Sequence, residues 1–165
     1  MPSTQRVTVT KSHAPVQKEL LIKASPAHAF RVFTEQMDQW WPRSHHIGKA
    51  EMKKAVLETR EGGRWYEIGV DGSECNWGKV LRWNPPHKLV LAWQINSEWQ
   101  YDPQLITEVE VNFIEKEPKL TRLTLEHRDI EKSQISRAIR RPTAWQAELP
   151  VESDSSVAPC LCGPL

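Results

Sequence analysis

The sequence predicts an α+β fold: a curved antiparallel sheet with two short helices after its first strand and a C-terminal helical segment. Three observations carry this. From Met52 to Arg128 apolar and polar residues alternate in successive runs, the period of half-buried strands. Short breaks rich in Gly, Asp-Gly and Pro-Pro separate the runs, so neighbouring strands join as hairpins and form an antiparallel meander. Helical spacing occurs only before and after this block, which excludes a repeating strand–helix architecture.

The first strand starts at Val16, where Val16, Leu20, Ile22 and Ala24 share one side and Gln17, Glu19 and Lys23 mostly face the other. Ser25-Pro26 ends it and opens a helix, Ser as N-cap and Pro at the first helical position. Ala29, Phe30 and Phe33 follow at helical spacing, and Met37, Trp40 and Trp41 continue it into a second short helix that Pro42 closes. A loop from Arg43 to Ala50 carries His45 and His46. No His or carboxylate at ligand spacing lies near them, so they read as a surface or pocket-rim loop.

Six strands come next. Met52–Arg60 ends in the Glu61-Gly62-Gly63 turn. Along Arg64–Val70, Trp65 and Glu67 face one way, and Tyr66, Ile68 and Val70 the other. Asp71-Gly72 has the composition of a type I′ hairpin. Along Glu74–Asn84, strict alternation puts Cys75, Trp77, Leu81 and Trp83 together, opposite Gly78, Val80 and Arg82. After Pro85-Pro86, the residues Leu89, Leu91, Trp93 and Ile95 share a face. The polar loop Asn96–Pro103 carries Trp99 and Tyr101 beside a potential opening. Thr107, Val109, Val111 and Phe113 align next, and the last strand, Leu120–Arg128, aligns Leu123, Leu125 and His127.

The ends differ from this core. Residues 1–15 are polar and unpatterned and read as a flexible arm, 16–149 as the domain, and 150–165 as a disordered tail. After Ile130 an apolar stripe has only Ile135, Ala138 and Ile139 before Pro142, then Ala144, Trp145 and Leu149 before Pro150. A helix that covers a sheet needs a longer stripe, and an interior proline costs ~3 kcal/mol. The expected C-terminal helix is therefore short or broken, as in a diverged or frame-altered tail. It would leave a cavity partly open, with marginal stability and association of two copies through the exposed sheet face as consequences.

The 165 residues carry a net charge of +1 with both signs mixed along the chain. This argues against a nucleic-acid partner, and Arg137–Arg141 reads as a solvated helix face. No apolar run reaches the ~20 residues of a membrane span, and the N-terminal stretch lacks the apolar core of a signal peptide, so the expected location is the cytoplasm. Cys75, Cys160 and Cys162 form neither a disulfide framework nor a complete metal set. No cofactor is expected. Eight tryptophans against three Phe and two Tyr raise the expectation of an aromatic pocket.

Several short segments then point to a family. They are the Val16–Phe30 stretch, Trp40-Trp41-Pro42, Gly62-Gly63-Arg64-Trp65-Tyr66-Glu67, Asp71-Gly72, Trp77-Gly78-Lys79-Val80, Pro85-Pro86-His87-Lys88-Leu89 and Leu125-Glu126-His127-Arg128. In this order, over about residues 16–130, the chain resembles the SRPBCC (START-like) superfamily, and specifically proteins similar to the activator of heat-shock protein 90 ATPase homologue. The resemblance implies a helix-grip fold whose long C-terminal helix, often after Gly-Gly-Trp, closes a hydrophobic cavity. Trp145 stands where that tryptophan would be.

Strand parity and the resemblance together nominate Trp65, Glu67, Trp77, Trp93 and His127 as pocket-facing, with Trp40 and Trp41 beside them. The function expected is non-catalytic binding of a small hydrophobic or aromatic ligand, as a carrier or sensor. Two other classes stand beside it. One is a cyclase- or hydrolase-like enzyme using Glu67 and His127 as acid and base. The other is a co-chaperone-like interaction domain, weakened because the chain lacks the extra N-terminal module of the eukaryotic activators.

Overall fold

The computed structural model describes residues 15–130. Seven strands form a single curled antiparallel sheet in the order β1-β7-β6-β5-β4-β3-β2. The strands are β1 (Val16–Ile22), β2 (Met52–Leu57), β3 (Arg64–Gly69), β4 (Glu74–Asn84), β5 (Lys88–Trp93), β6 (Thr107–Glu117) and β7 (Leu120–Arg128). From β2 to β7 each strand pairs with its successor, the expected meander, and β1 closes the far edge against β7.

Two helices fill the space between β1 and β2: α1 (Pro26–Glu35) and α2 (Met37–Trp40). The Ser25 hydroxyl accepts from the His28 amide and Pro26 occupies the first turn, so the start of α1 follows the sequence reading. Phe30 and Phe33 of α1 meet Phe113 of β6 at ring separations of 5.2 and 5.8 Å. Phe30 also meets Trp83 of β4 edge-on. These rings join Val109, Val111, Leu123 and Leu125 in one core on the inner face of the sheet. Thr121 ties the start of the helical segment to the sheet by donating to the Ala24 carbonyl, 2.7 Å away.

Two local expectations are corrected. β4 does not alternate strictly, because its register shifts between Trp65 and Tyr66 of β3 and again between Val80 and Arg82 against β5. These bulges turn Val80 into the core beside Trp77, and Leu81 is only half-buried. Gly78 permits the tight approach there, since a Cβ would lie 1.7 Å from the Ala92 carbonyl oxygen. The Asp71-Gly72 hairpin is not type I′. Only Gly72 has positive φ, 82°, while the Asp71 carboxylate accepts from the Ser73 amide and hydroxyl. That is a longer hairpin closed by a left-handed glycine.

The expected arm, C-terminal helical segment and tail, with Trp145, Cys160 and Cys162, lie outside the described residues apart from Pro15. Within 15–130 no helix is long and apolar enough to cross a membrane, and no cluster of His, Cys, Asp or Glu could hold a metal ion.

Candidate functional site

Four of the seven nominated residues form one aromatic cluster. Trp41, at the end of α2, stacks on Trp77 of β4 with centroids 4.7 Å apart and planes 30° apart. Trp65 of β3 stands edge-on to both, at 5.7 and 5.8 Å. Trp93 of β5 lies 5.2 Å from Trp65 and 6.5 Å from Trp41. Edge-to-face and offset stacking are the arrangements that ring quadrupoles favour. All four are buried. Trp40 sits behind them, 4.9 Å from Phe33 and 5.9 Å from Trp41, and its indole donates to the Phe33 carbonyl. It supports the cluster from the helix side.

Glu67 borders this cluster and is 2% exposed. Three N–H groups converge on its carboxylate. The Trp77 indole donates to Oε2 at 2.7 Å, the Ile47 amide to Oε2 at 3.0 Å and the Gly48 amide to Oε1 at 2.5 Å. Neutral donors thus satisfy a carboxylate that would otherwise be costly to bury. Trp65 donates to the Met37 sulfur at 3.2 Å, and Trp41 to the His45 carbonyl at 2.9 Å. Beside Glu67, burial pushes the Cys75 thiol upward, with the Glu67 and Asp71 charges adding to the shift.

His127 lies elsewhere on the same inner face. Its Nε2 is 2.8 Å from the Thr107 hydroxyl, which donates to the Trp93 carbonyl at 3.1 Å. A hydroxyl has one proton, and here it goes to the carbonyl, so Nε2 must carry the hydrogen and donate to Thr107. Burial pushes the imidazole down to about 4, so it is neutral at physiological pH. Three strands stand between β3, which carries Glu67, and β7, which carries His127. Glu67 accepts from Trp77, Ile47 and Gly48, whereas His127 meets Thr107.

Sequence reading missed Ile47, Gly48 and Thr107. Backbone amides leave no side-chain signature, so the first two had no signal. Thr107 did have one, sharing strand parity with Val109 and Val111 while offering a hydroxyl. The histidine loop is half-buried at His45 and His46, with His46 Nδ1 3.0 Å from the Gly48 carbonyl oxygen.

A curled antiparallel sheet wrapped around short helices, with an aromatic interior, defines the helix-grip class of α+β proteins. Within it, the chain belongs to the Activator of Hsp90 ATPase homolog 1-like family, whose profile matches residues 23–149. Among solved structures it is similar to an anthrahydroquino-gamma-pyrone synthase complexed with SUM. Identity is 35%, coverage is 81% of this chain and 91% of that one, and the TM-score is 0.56. It is also similar to CalC, a self-sacrificing resistance protein from Micromonospora echinospora, at 27% identity, 82% and 90% coverage and TM-score 0.61. An HSP90 activator from Plasmodium falciparum shares the fold at 18% identity, 83% and 91% coverage and TM-score 0.55. No curated protein sequence matches the chain.

Proposed function

We propose that the protein binds a small, flat hydrophobic or aromatic ligand between the sheet and the helices, as a non-catalytic carrier or sensor. The observation that carries this reading is the joining of Trp41, Trp65, Trp77 and Trp93 into one cluster with Glu67 at its edge. Indole faces suit a planar guest, and a few fixed polar groups orient it. The 35% identity to an anthrahydroquino-gamma-pyrone synthase supports an aromatic small-molecule partner.

Catalysis by Glu67 and His127 is the less favoured reading, because each already serves its own structural partners and three strands separate them. The likeness to an HSP90 activator, at 18% identity, bears on the fold alone and gives no chaperone partner. The cytoplasm belongs to the same reading as the expected location.

Titration with an anthraquinone, followed by tryptophan fluorescence, tests the proposal. Saturable quenching is expected, and Trp77→Ala weakens binding by about 1–3 kcal/mol. Truncating a buried tryptophan also costs about 3–5 kcal/mol of stability, so the variant is first shown to fold by circular dichroism. A folded variant with unchanged affinity removes Trp77 from the site. Absence of saturable quenching by planar aromatics removes the reading.

A further inference from the structure

The loop between α2 and β2 is fixed at both ends. Arg43 reaches the Asp38 carboxylate at 2.7 Å and the Lys53 carbonyl at 2.9 Å, while the Glu51 carbonyl accepts from the Val70 amide at 2.9 Å. Between these anchors the loop has no helix or strand, yet residues 45–48 are half-buried and Ile47 packs on the core. What holds this middle section down is unusual. The indole of Trp41 holds the His45 carbonyl, and the carboxylate of Glu67 holds the Ile47 and Gly48 amides while also accepting from Trp77. One cluster tryptophan, Trp41, therefore directs its polar edge at the loop, and a second, Trp77, at the carboxylate that holds it.

We propose that residues 43–50 form a strap over the tryptophan cluster, with Glu67 as its latch and strap opening as the route to the cluster. The geometry is selective for a carboxylate. Glutamine offers one oxygen and one NH2, so at least one of the three donors would face another donor. It is also selective for glycine at position 48, where a Cβ would lie 2.5 Å from Glu67 Oε1 and 3.3 Å from the Cys75 sulfur. The latch is held by three hydrogen bonds from neutral donors at the edge of a loop, and loops with few regular backbone bonds open well below the global unfolding free energy. Glu67 is accordingly a positioning residue. The route to the cluster rests on the ligand-binding reading above, whereas the latch does not.

Amide hydrogen exchange on the full chain, wild type against Glu67→Gln, separates the two. The latch predicts that Gly48 and Ile47 exchange at least tenfold faster in the variant, with β5 and β6 amides unchanged. Unchanged Gly48 exchange overturns it, as does a parallel rise in β5 and β6, which would make Glu67 an ordinary part of the core. If Glu67→Gln does not fold, Gly48→Ala tests the same contact from the strap side and should raise Ile47 exchange to the same extent. For the route, anthraquinone association and dissociation rates should rise together in the latch variant. Unchanged rates overturn the route and leave the latch standing, and a wild type that binds no anthraquinone defeats the binding reading and the route with it.

Discussion

Two glutamates, Glu67 inside the sheet and Glu110 outside it, show how differently one side chain is accommodated. Glu67 is 2% exposed and takes its three hydrogen bonds from neutral N–H groups, two of them in a loop. Glu110 sits on the outer face with its side chain 18% exposed, between cations on both neighbouring strands: Lys88 of β5 at 2.9 Å and Arg128 of β7. Burial works against its charge, yet the hydrogen bonds from Asn112, Lys88 and Arg128 outweigh that and hold the carboxyl at about 2. The inner carboxylate ties a loop to an aromatic cluster. The outer one cross-links three strands. Removing charge should therefore be local and costly inside, and diffuse and cheap outside.

The largest expected effect is at Glu67→Ala, which strands one buried and two half-buried donors and should cost about 3–5 kcal/mol in denaturant unfolding. A loss as small as that of an exposed pair would erase the contrast between the two faces.

Next comes acid sensitivity. The His127 imidazole is lowered from its ordinary 6.5 to about 4, so the unfolded chain binds the proton more readily than the folded one. Its stabilising contribution is complete above about pH 6.5 and declines as pH falls to 4, by roughly 3 kcal/mol. Subtracting the pH profile of His127→Phe from that of wild type isolates this component. Coincident slopes between pH 6.5 and 4 would contradict the assignment of a neutral, buried ring.

Glu110→Gln should cost about 1 kcal/mol or less, because its partners keep solvent contact and salt screens them. Its depressed carboxyl stabilises above the ordinary value of 4.5, and that contribution fades as pH falls toward 2. A loss in 1 M salt equal to that at low salt would contradict the ion-pair account.

The smallest effect has the opposite sign. Trp99 is 46% exposed and holds φ 57°, with Asn96 Oδ1 accepting from the amides of Glu98 and Gln100 around it. Trp99→Gly relieves the left-handed backbone and should stabilise by about 0.5–1 kcal/mol. Destabilisation would show that this exposed ring has a packing role.

The same inner–outer distinction explains what the sequence made legible. Alternation along β6 and β7 is clean, so Val109, Leu125 and His127 could be assigned to the inner face from parity alone. β4 could not, because two bulges shift its register, and a bulge needs knowledge of both partner strands. The nomination of Trp41 with Trp65 and Trp77 rested on strand parity together with the family resemblance. The grip on Glu67 did not, because two of its three donors are backbone amides of a loop without pattern. Pairing Glu67 with His127 as acid and base was attractive because both are polar among apolar neighbours, but parity says which face a residue occupies and not how many strands away it lies.

The central claim is that the inner tryptophans bind a planar ligand, and indole N–H signals in a proton–nitrogen correlation spectrum test it most directly. Trp99, on the surface, serves as an internal control. During titration with an anthraquinone, the indole signals of Trp41, Trp65, Trp77 and Trp93 should shift along one saturation curve while that of Trp99 stays in place. A spectrum in which Trp99 alone responds, or in which the four inner indoles stay fixed at saturating ligand, would contradict the account.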